Sequence, residues 1–580
     1  MKSYSHKKNI VILSLVVFTI IKSVCLVFAG DAVQLSPVEI NVNKFGLLTL
    51  LPPLVAIVLA FVTKNVLVSL TAGVLTGTFM LNLDGNIVKA LFKMFIMFIE
   101  KLRGSLASKW NAGVILQILT IGALIAFISK TGGLKAVAEG LAKQAKTSRS
   151  AQVVAWMLGL IVFFDDYANS LIVGPVMRPV TDRLRVSREK LAFIVDATAA
   201  PVAGIALIST WIGYEVGVIR DAYAMINVDV NAYSVFVSSI PFRFYNIYML
   251  LFILFMALLL RDFGPMLKAE RRTRSTGIPY EPDAKPLISD ELTRLEPKPG
   301  AKLNPWNAII PLAVLILFTL GGFYYSGYKN ILCGTKPALV MLIQSAPLSF
   351  AALREILGAC DASIVMFQAA FLGCVVSIIM GMCQKVFDLS EAIDVWIKGM
   401  QALMITCAIL ILAWALSSVI KDLGTAKYLV TMLSDKIPAF ALPTIIFLLG
   451  CLISFSTGTS YGTMGILMPL TIPLAYAISP DYGYVVSNVG AVLTGAVFGD
   501  HCSPISDTTI LSSMGSSCDH MDHTETQLVY AVVIGLVAAV FGYLLVGTGI
   551  NVYLALCIGT AVTFVAIYLL GKPLGNYRAE

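Results

Sequence analysis

Charge is what this chain lacks most. Only 13% of its 580 residues are Asp, Glu, Lys or Arg, against 58% hydrophobic, whereas soluble domains carry roughly 25% charged residues. That shortage excludes an ordinary soluble protein and leaves an integral membrane protein. Nucleic-acid binding is excluded as well. The formal charge of +8 comes from basic residues gathered in loops, where they set orientation in a membrane. Cysteine in metal-ligand spacing is also missing. The ten cysteines contain no CxxC pair and fall mostly in apolar runs, so they read as small packing residues. Cys333 and Cys360, which flank an outside loop, are the one pair placed to form a disulfide. No cofactor is expected.

Long apolar runs are present in abundance. They begin at Phe45–Thr63, continue through Gly113–Ile128, Ala151–Val180 and Leu191–Ile219, and end at Tyr553–Leu570. A bilayer core needs roughly 20 apolar residues per crossing, which predicts about ten to fourteen crossing or re-entrant segments. Lipid offers the backbone no hydrogen bonds, so these runs are helices and the protein is all-α and polytopic. The hydrophilic stretch 261–304, with Lys268, Arg271, Arg272, Arg274 and several prolines, reads as a cytoplasmic linker between a repeat at 45–260 and another at 305–571. Residues 1–29, with Lys2, Lys7 and Lys8 before an apolar stretch ending at Ala29, read as a signal peptide or as a first transmembrane helix.

Two distant stretches look like copies of one device: FFDDYANSLIVGPVMRPV at 163–180 and FSTGTSYGTMGILMPLTIPL at 455–474. Laying Tyr167 on Tyr461 brings Pro175 onto Pro469 and Pro179 onto Pro473. Each apolar run is interrupted by residues a continuous helix would not choose, Asp165, Asp166 and Asn169 in one, Gly458, Thr459, Ser460 and Gly462 in the other. Further on, PVAGIALIST from Pro201 aligns with PISDTTILSS from Pro504. Two repeats with broken or re-entrant helical hairpins are what transporters use to build a midplane site.

A carboxylate at the centre of a membrane helix costs ~2.5 to 3.5 kcal/mol on insertion scales, so the adjacent pair Asp165 and Asp166 calls for a function. Burial favours a protonated carboxyl and a bound cation favours the ionised one, which is the physical basis of exchanging the two. One of the pair can instead cap the helix that follows. Asn169 shares their helix face and can add a neutral oxygen or simply pack as an amide. Asp196 lies among small residues that let helices approach closely. Glu215 sits near the end of its run and is expected to reach the interface. In the second repeat Asp500, Ser503, Ser506, Asp507, Thr508 and Thr509 crowd ten positions with His501, a set of hard oxygens suited to alkali cations. Thr457, Thr459 and Ser460 add hydroxyls on the partner segment, where ordinary helix-to-helix bonding is the alternative. Sodium is assigned to Asp166 and Asp507. CDHMDH at 518–523 reads as a surface turn, with metal binding by His520 and His523 the weaker alternative.

FFDDYANSLIVGPVMRPVTD and FGDHCSPISDTTILSS, in this order and spacing, resemble the NhaC-type sodium/proton antiporter family within the ion-transporter superfamily. The resemblance covers the chain from about Phe45 onward. It implies an inverted-repeat bundle, a homodimer, no enzymatic activity, and the plasma (inner) membrane. Residue by residue it points to Asp165, Asp166 and Asn169, to Asp196, and to Asp500, Ser503, Ser506, Asp507, Thr508 and Thr509. The expected activity is exchange of sodium for protons by alternating access. A rival is sodium- or proton-coupled transport of an organic anion or amino acid, which would use cationic residues; the motif stretches hold only Arg178. A remote alternative is an intramembrane aspartyl protease using Asp166 and Asp500, although FGD lacks the preceding glycine of a GxGD motif.

Overall fold

The computed structural model of the chain describes residues 37–575 apart from 64, 285–302, 335–336, 350–351, 354, 357–358, 434–435 and 505. The expected leader at 1–29 and most of the stretch 285–304 lie outside the described residues. Ten described helices are long and apolar enough to cross a membrane, and an eleventh span forms if Ala232–Phe242 and Phe244–Leu259, bent by 45°, count as one. Helix periodicity in an apolar chain leaves no other way to satisfy the backbone.

Each half is organised around one hairpin followed by one interrupted span. The first hairpin has arms Ser148–Ile161 and Asp166–Arg183. They are antiparallel: the Ser148 hydroxyl donates to the Leu184 carbonyl at 2.7 Å, closing the open end opposite the tip at residues 162–165. The first interrupted span follows as Arg188–Ala203 and Ile212–Met225. The second half repeats the plan, with hairpin arms Leu442–Thr457 and Ser460–Ile478, then an interrupted span Tyr482–Asp500 and Asp507–Ser516.

Local chemistry sets these interruptions. Gly458 ends the first arm of the second hairpin in the left-handed region at φ 66°, with its N–H on the Ser454 carbonyl, a conformation that suits glycine. Gly499 lets that arm approach the interrupted span closely, since a Cβ there would lie 2.0 Å from the Phe455 nitrogen. The proline correspondence at 201 and 504 does not survive folding. Pro201 lies inside a helix that runs on to Ala203, with its carbonyl accepting from Asn246 Nδ2 at 2.9 Å, whereas Pro504 falls within the break after Asp500.

The halves interlock crosswise. The second arm of the first hairpin packs on Asp507–Ser516, and its counterpart in the second hairpin packs on Ile212–Met225. Arg178, near the open end of the first hairpin, is bonded to Ser517, and Arg188 Nη1 donates to the Ser517 carbonyl at 3.1 Å. Tyr223 lies near Tyr476 and Tyr482 at the opposite end. The hairpins therefore enter from opposite faces, as inverted repeats require, and the face carrying Arg178, Arg183, Arg185 and Arg188 is called the basic face below.

Within 261–304, strand Arg261–Asp262 pairs antiparallel with Lys572–Pro573, and helix Gly264–Thr276 docks on the bundle by burying Met266, Ala269, Glu270 and Thr273. The buried Lys190 ammonium meets the Asp262 carboxylate at 2.6 Å and the Tyr530 hydroxyl donates to it at 2.6 Å. Cys333 and Cys360 are free thiols.

Glu215 does not reach the interface. It is fully buried against Arg243, which is also fully buried and occupies the bend between the two helices ending at Phe242 and starting at Phe244. The guanidinium makes two bonds to the carboxylate, at 3.1 and 3.3 Å, and donates to the Gly204 carbonyl at 3.1 Å and the Ser239 hydroxyl at 3.2 Å. It thus holds the frayed end of Arg188–Ala203. Removing one member of such a pair costs about 3 to 5 kcal/mol, because the other charge stays buried. Glu215→Gln is expected to lower the melting temperature of the purified protein strongly, and a Glu215→Leu/Arg243→Met double variant to lower it less than either single change.

Candidate functional site

Four interruptions of helix converge inside the bundle. At the first tip, Asp165 caps the second arm: Oδ1 accepts from the Ala168 amide at 2.7 Å and Oδ2 from the Thr210 hydroxyl at 3.2 Å. The Thr210 amide in turn donates to the Phe164 carbonyl at 3.0 Å. The tip is thereby sewn to the break at 204–211. Asp166 follows in the first helical turn, and both carboxylates are buried.

Asn169 is held by its amide nitrogen, which donates to the Gly159 carbonyl at 2.9 Å and the Thr198 carbonyl at 3.0 Å. Its oxygen is buried and has no hydrogen-bond partner among the described residues. Such an orphaned acceptor costs about 1 to 3 kcal/mol. A cation is the kind of group that would use it.

The second tip meets the second break in the same way. Asp500 Oδ2 accepts from the Ser460 hydroxyl at 2.7 Å and Oδ1 from the Ser506 hydroxyl at 3.0 Å. The Asp500 carbonyl lies 3.4 Å from the Thr508 hydroxyl and 3.3 Å from that of Thr509. Tyr461, next to the tip, packs its ring on Trp211 and Tyr214 with centroids 5.2 and 4.7 Å apart, and its carbonyl accepts from the Tyr214 hydroxyl. Asp166, Asp165 and Asp500 all lie within electrostatic range of the Tyr461 hydroxyl. Carboxylates from both halves therefore share one neighbourhood.

Other expected residues are placed differently. Ser503 donates to the Phe455 carbonyl at 2.7 Å and braces the hairpin against the break. Thr457 bonds within its own helix, to the Ile453 carbonyl at 2.9 Å. Thr459 is the residue before the second arm, and its carbonyl accepts from the Thr463 hydroxyl at 3.0 Å. Asp507 begins the helix after the second break, and its side chain is not among those described. Asp196 lies within Arg188–Ala203 and accepts from Gln527 Nε2 at 2.8 Å.

The segment 518–523 is not a surface turn. Asp519 caps helix His520–Val537 through the amides of Met521 and Asp522, while Cys518 and His523 are buried. No group of three or more His, Cys, Asp or Glu among the described residues is arranged to hold a metal ion. Thr210, Trp211 and Tyr461 were missed as site residues. The pairing of Tyr167 with Tyr461 marked the right tip, but no local signal announces that residue 210 meets residue 165.

A cavity of about 550 Å³ runs along one side of the second arm of the first hairpin, lined by Asp165, Ala168, Ile172, Val176, Val180 and Arg183 at helical spacing. Helix Lys109–Lys130, helix Gly133–Ala142 and Leu403 close its other side, contributing Ser129, Lys135, Glu139 and Lys143. It joins the basic face, at Arg183, to the carboxylate at the tip.

Residues 202–548 match the profile of the Na+/H+ antiporter family. An uncharacterized protein of Haemophilus influenzae is 33% identical over 503 residues, 86% of this chain and 90% of its own length. A Bacillus subtilis protein named malate-2H(+)/Na(+)-lactate antiporter is 30% identical over 195 residues, 32% of this chain and 39% of its own. In fold the chain resembles the YdaH transporter of Alcanivorax borkumensis, with a TM-score of 0.52 at 14% identity over 81% of this chain and 91% of that one. A transporter rather than an enzyme is indicated. With a family match across more than half its residues and a relative aligned along most of its length, this multi-pass membrane protein is a secondary transporter and belongs to the Na+/H+ antiporter family.

Proposed function

We propose that the protein exchanges sodium for protons across the plasma membrane, with the cation taken at the first tip. The observation that carries this is the set of buried carboxylates at the helix interruptions, Asp165 bonded from the first tip to Thr210 of the first break, Asp166 in the turn that follows and Asp500 bonded to Ser460 and Ser506, with the orphaned Asn169 oxygen one turn beyond Asp165. Hard oxygens suit sodium, and a buried carboxylate accepts either a proton or a cation but gains little from both. The sodium assignment to Asp166 stands as part of this proposal, as does that to Asp507.

The cavity along the first hairpin supports a state open to the basic face, which the positive-inside rule assigns to the cytoplasm. On the other side of the tips, Trp211 and Tyr214, packed tilted and edge-on against Tyr461, form an aromatic closure. Alternating access then amounts to moving the hairpins relative to the helices that line the cavity. Unequal proton and sodium numbers would couple the cycle to voltage at ~2.3 kcal/mol per charge per 100 mV.

A second reading is coupled transport of an organic anion. Lys135, Lys143 and Arg183 line the cavity, outside the motif stretches, and could attract a carboxylate toward the tip. The name of the Bacillus subtilis relative favours the same class.

In everted vesicles holding a pH gradient, sodium alone is expected to collapse the gradient, and malate or lactate to add nothing. Asp166→Asn is expected to slow the response by at least about a hundredfold, the lower range for loss of a proton-transfer group. A response that appears only with the organic anion selects the second reading. Thr210→Ala removes one hydrogen bond to a charged group, worth about 1.5 to 3 kcal/mol, and is expected to weaken apparent sodium affinity about tenfold or more. Val176→Cys is expected to react with a membrane-impermeant thiol reagent applied from the cytoplasmic face and not from the outer face; the opposite pattern would contradict the assigned orientation.

A further inference from the structure

A row of polar side chains outside the proposed cation site leads from the basic face to Asp196. His520, partly exposed at the start of its helix, places Nε2 2.7 Å from the Pro504 carbonyl and Nδ1 3.1 Å from the Ser513 hydroxyl. The same hydroxyl lies 2.8 Å from Nδ1 of the fully buried His523. His523 Nε2 is 2.9 Å from Gln527 Oε1, Gln527 Nε2 is 2.8 Å from Asp196 Oδ2, and His523 Nε2 itself is 3.8 Å from that oxygen.

Donor and acceptor accounting gives the row a direction. The Pro504 carbonyl only accepts, so His520 carries hydrogen on Nε2. Gln527 turns its amide N–H to the carboxylate and its oxygen to His523, so His523 carries hydrogen on Nε2. Ser513 has one hydrogen, and giving it to His523 leaves its oxygen to accept from His520 Nδ1. All of these contacts are satisfied together only when one of the two histidines bears a second proton, so a single extra proton is shared along the row. The Ser513 hydroxyl can otherwise turn to the Thr509 carbonyl, 2.8 Å away, which would interrupt the row.

We infer that His520, Ser513 and His523 form a proton relay that loads Asp196 from the basic face, along a route separate from the cavity that serves the first tip. The proton leaves His520 Nδ1 as a new bond forms at Ser513 Oγ, and the serine proton passes to His523 Nδ1. The resulting imidazolium faces Asp196 and releases its Nε2 proton to Oδ2 as the 3.8 Å gap closes, with Gln527 moving aside. His523 is left neutral with hydrogen on Nδ1 in place of Nε2; a flip of its neutral ring exchanges the two positions and readies it for the next proton, and a proton leaving Asp196 for the basic face runs the same transfers backward. Only protons move, and no oxidant or reductant is required.

Asp196 is well placed to communicate with the cation. Two residues along, the Thr198 carbonyl holds the Asn169 amide, and Cys502 lies within electrostatic range of both Asp196 and Asp500. A charge lost at one carboxylate is felt at the other through a poorly screened interior. From neighbouring elements Asp196 faces His523, and His501 of the second break lies within electrostatic range of it; Glu189, Arg272 and Glu281 lie within range of Asp522, which shares the relay's helix with Glu525 and its cap Asp519, and Tyr245 lies within range of Asp196.

This inference rests on the sodium/proton reading, and the experiment separates the two. Purified wild type and the variants His520→Ala, Ser513→Ala and His523→Gln are reconstituted, and two fluxes are measured: sodium-driven proton movement as a function of pH, and sodium/sodium counterflow, which transfers no net proton. His520→Ala is expected to slow proton movement about tenfold or more, most severely at alkaline pH where free protons are scarce. Imidazole buffer is expected to restore it, and counterflow is expected to persist in all three variants, which also shows that they fold. Unchanged pH profiles, or equal losses in both fluxes without imidazole rescue, would overturn the relay while leaving the exchange reading intact. A wild type that moves no proton with sodium overturns both.

Discussion

Every peptide group removed from a membrane helix must find a new partner inside the protein, and that constraint shapes this molecule. Four interruptions meet the demand by satisfying one another. Asp165 and Thr210 join the first tip to the first break, Ser460 and Asp500 join the second tip to the second, Gly458 ends one arm in the left-handed region, and Gly499 allows the backbones to come close enough. Asp165, one of the carboxylates on which the proposed function rests, is therefore also the cap that holds the first tip. On that proposal, binding a cation and reshaping the tips are one event, because both draw on the same oxygens.

The two halves share a frame but differ in chemistry. The first hairpin presents Asp165 and Asp166 at its tip where the second presents Thr459 and Ser460. The first helix of the second interrupted span ends on Asp500, whereas its counterpart carries Asp196 seven residues before its end at Ala203. Asp165 and Asp166 lie at the first tip and Asp500 at the second break, bonded to the second tip, whereas Asp196 has a different set of neighbours, Gln527 and His523. On the proposals above, symmetry of the backbone supplies access from either face, and asymmetry of the side chains provides room for two distinct charge-carrying positions.

Much of this was legible along the chain. Low charge and repeated apolar runs identified a helical membrane protein, and the pairing of Tyr167 with Tyr461 located both tips, because prolines and polar residues inside apolar runs are costly unless a break or a hairpin uses them. Of the expected cluster Asp500, Ser503, Ser506, Asp507, Thr508 and Thr509, the hydroxyls of Ser506, Thr508 and Thr509 lie against Asp500, while Ser503 turns to the Phe455 carbonyl. Other features depended on partners far away in sequence. Glu215 looked like an interfacial carboxylate until Arg243, 28 residues later, turned inward from a bend to meet it. His523 looked like part of a surface turn, yet its helix begins three residues earlier and rotates it into the bundle.

By itself the sequence determined the class of protein, the doubling of its architecture and the places where helices must stop, since hydropathy, proline and glycine act locally and lipid enforces their consequences. Tertiary structure alone decided which interrupted runs fold back as hairpins, that Pro201 stays helical while Pro504 does not, and which side chains meet between the tips and the breaks. Those outcomes depend on distances between segments hundreds of residues apart, and side-chain order along the chain carries no measure of them.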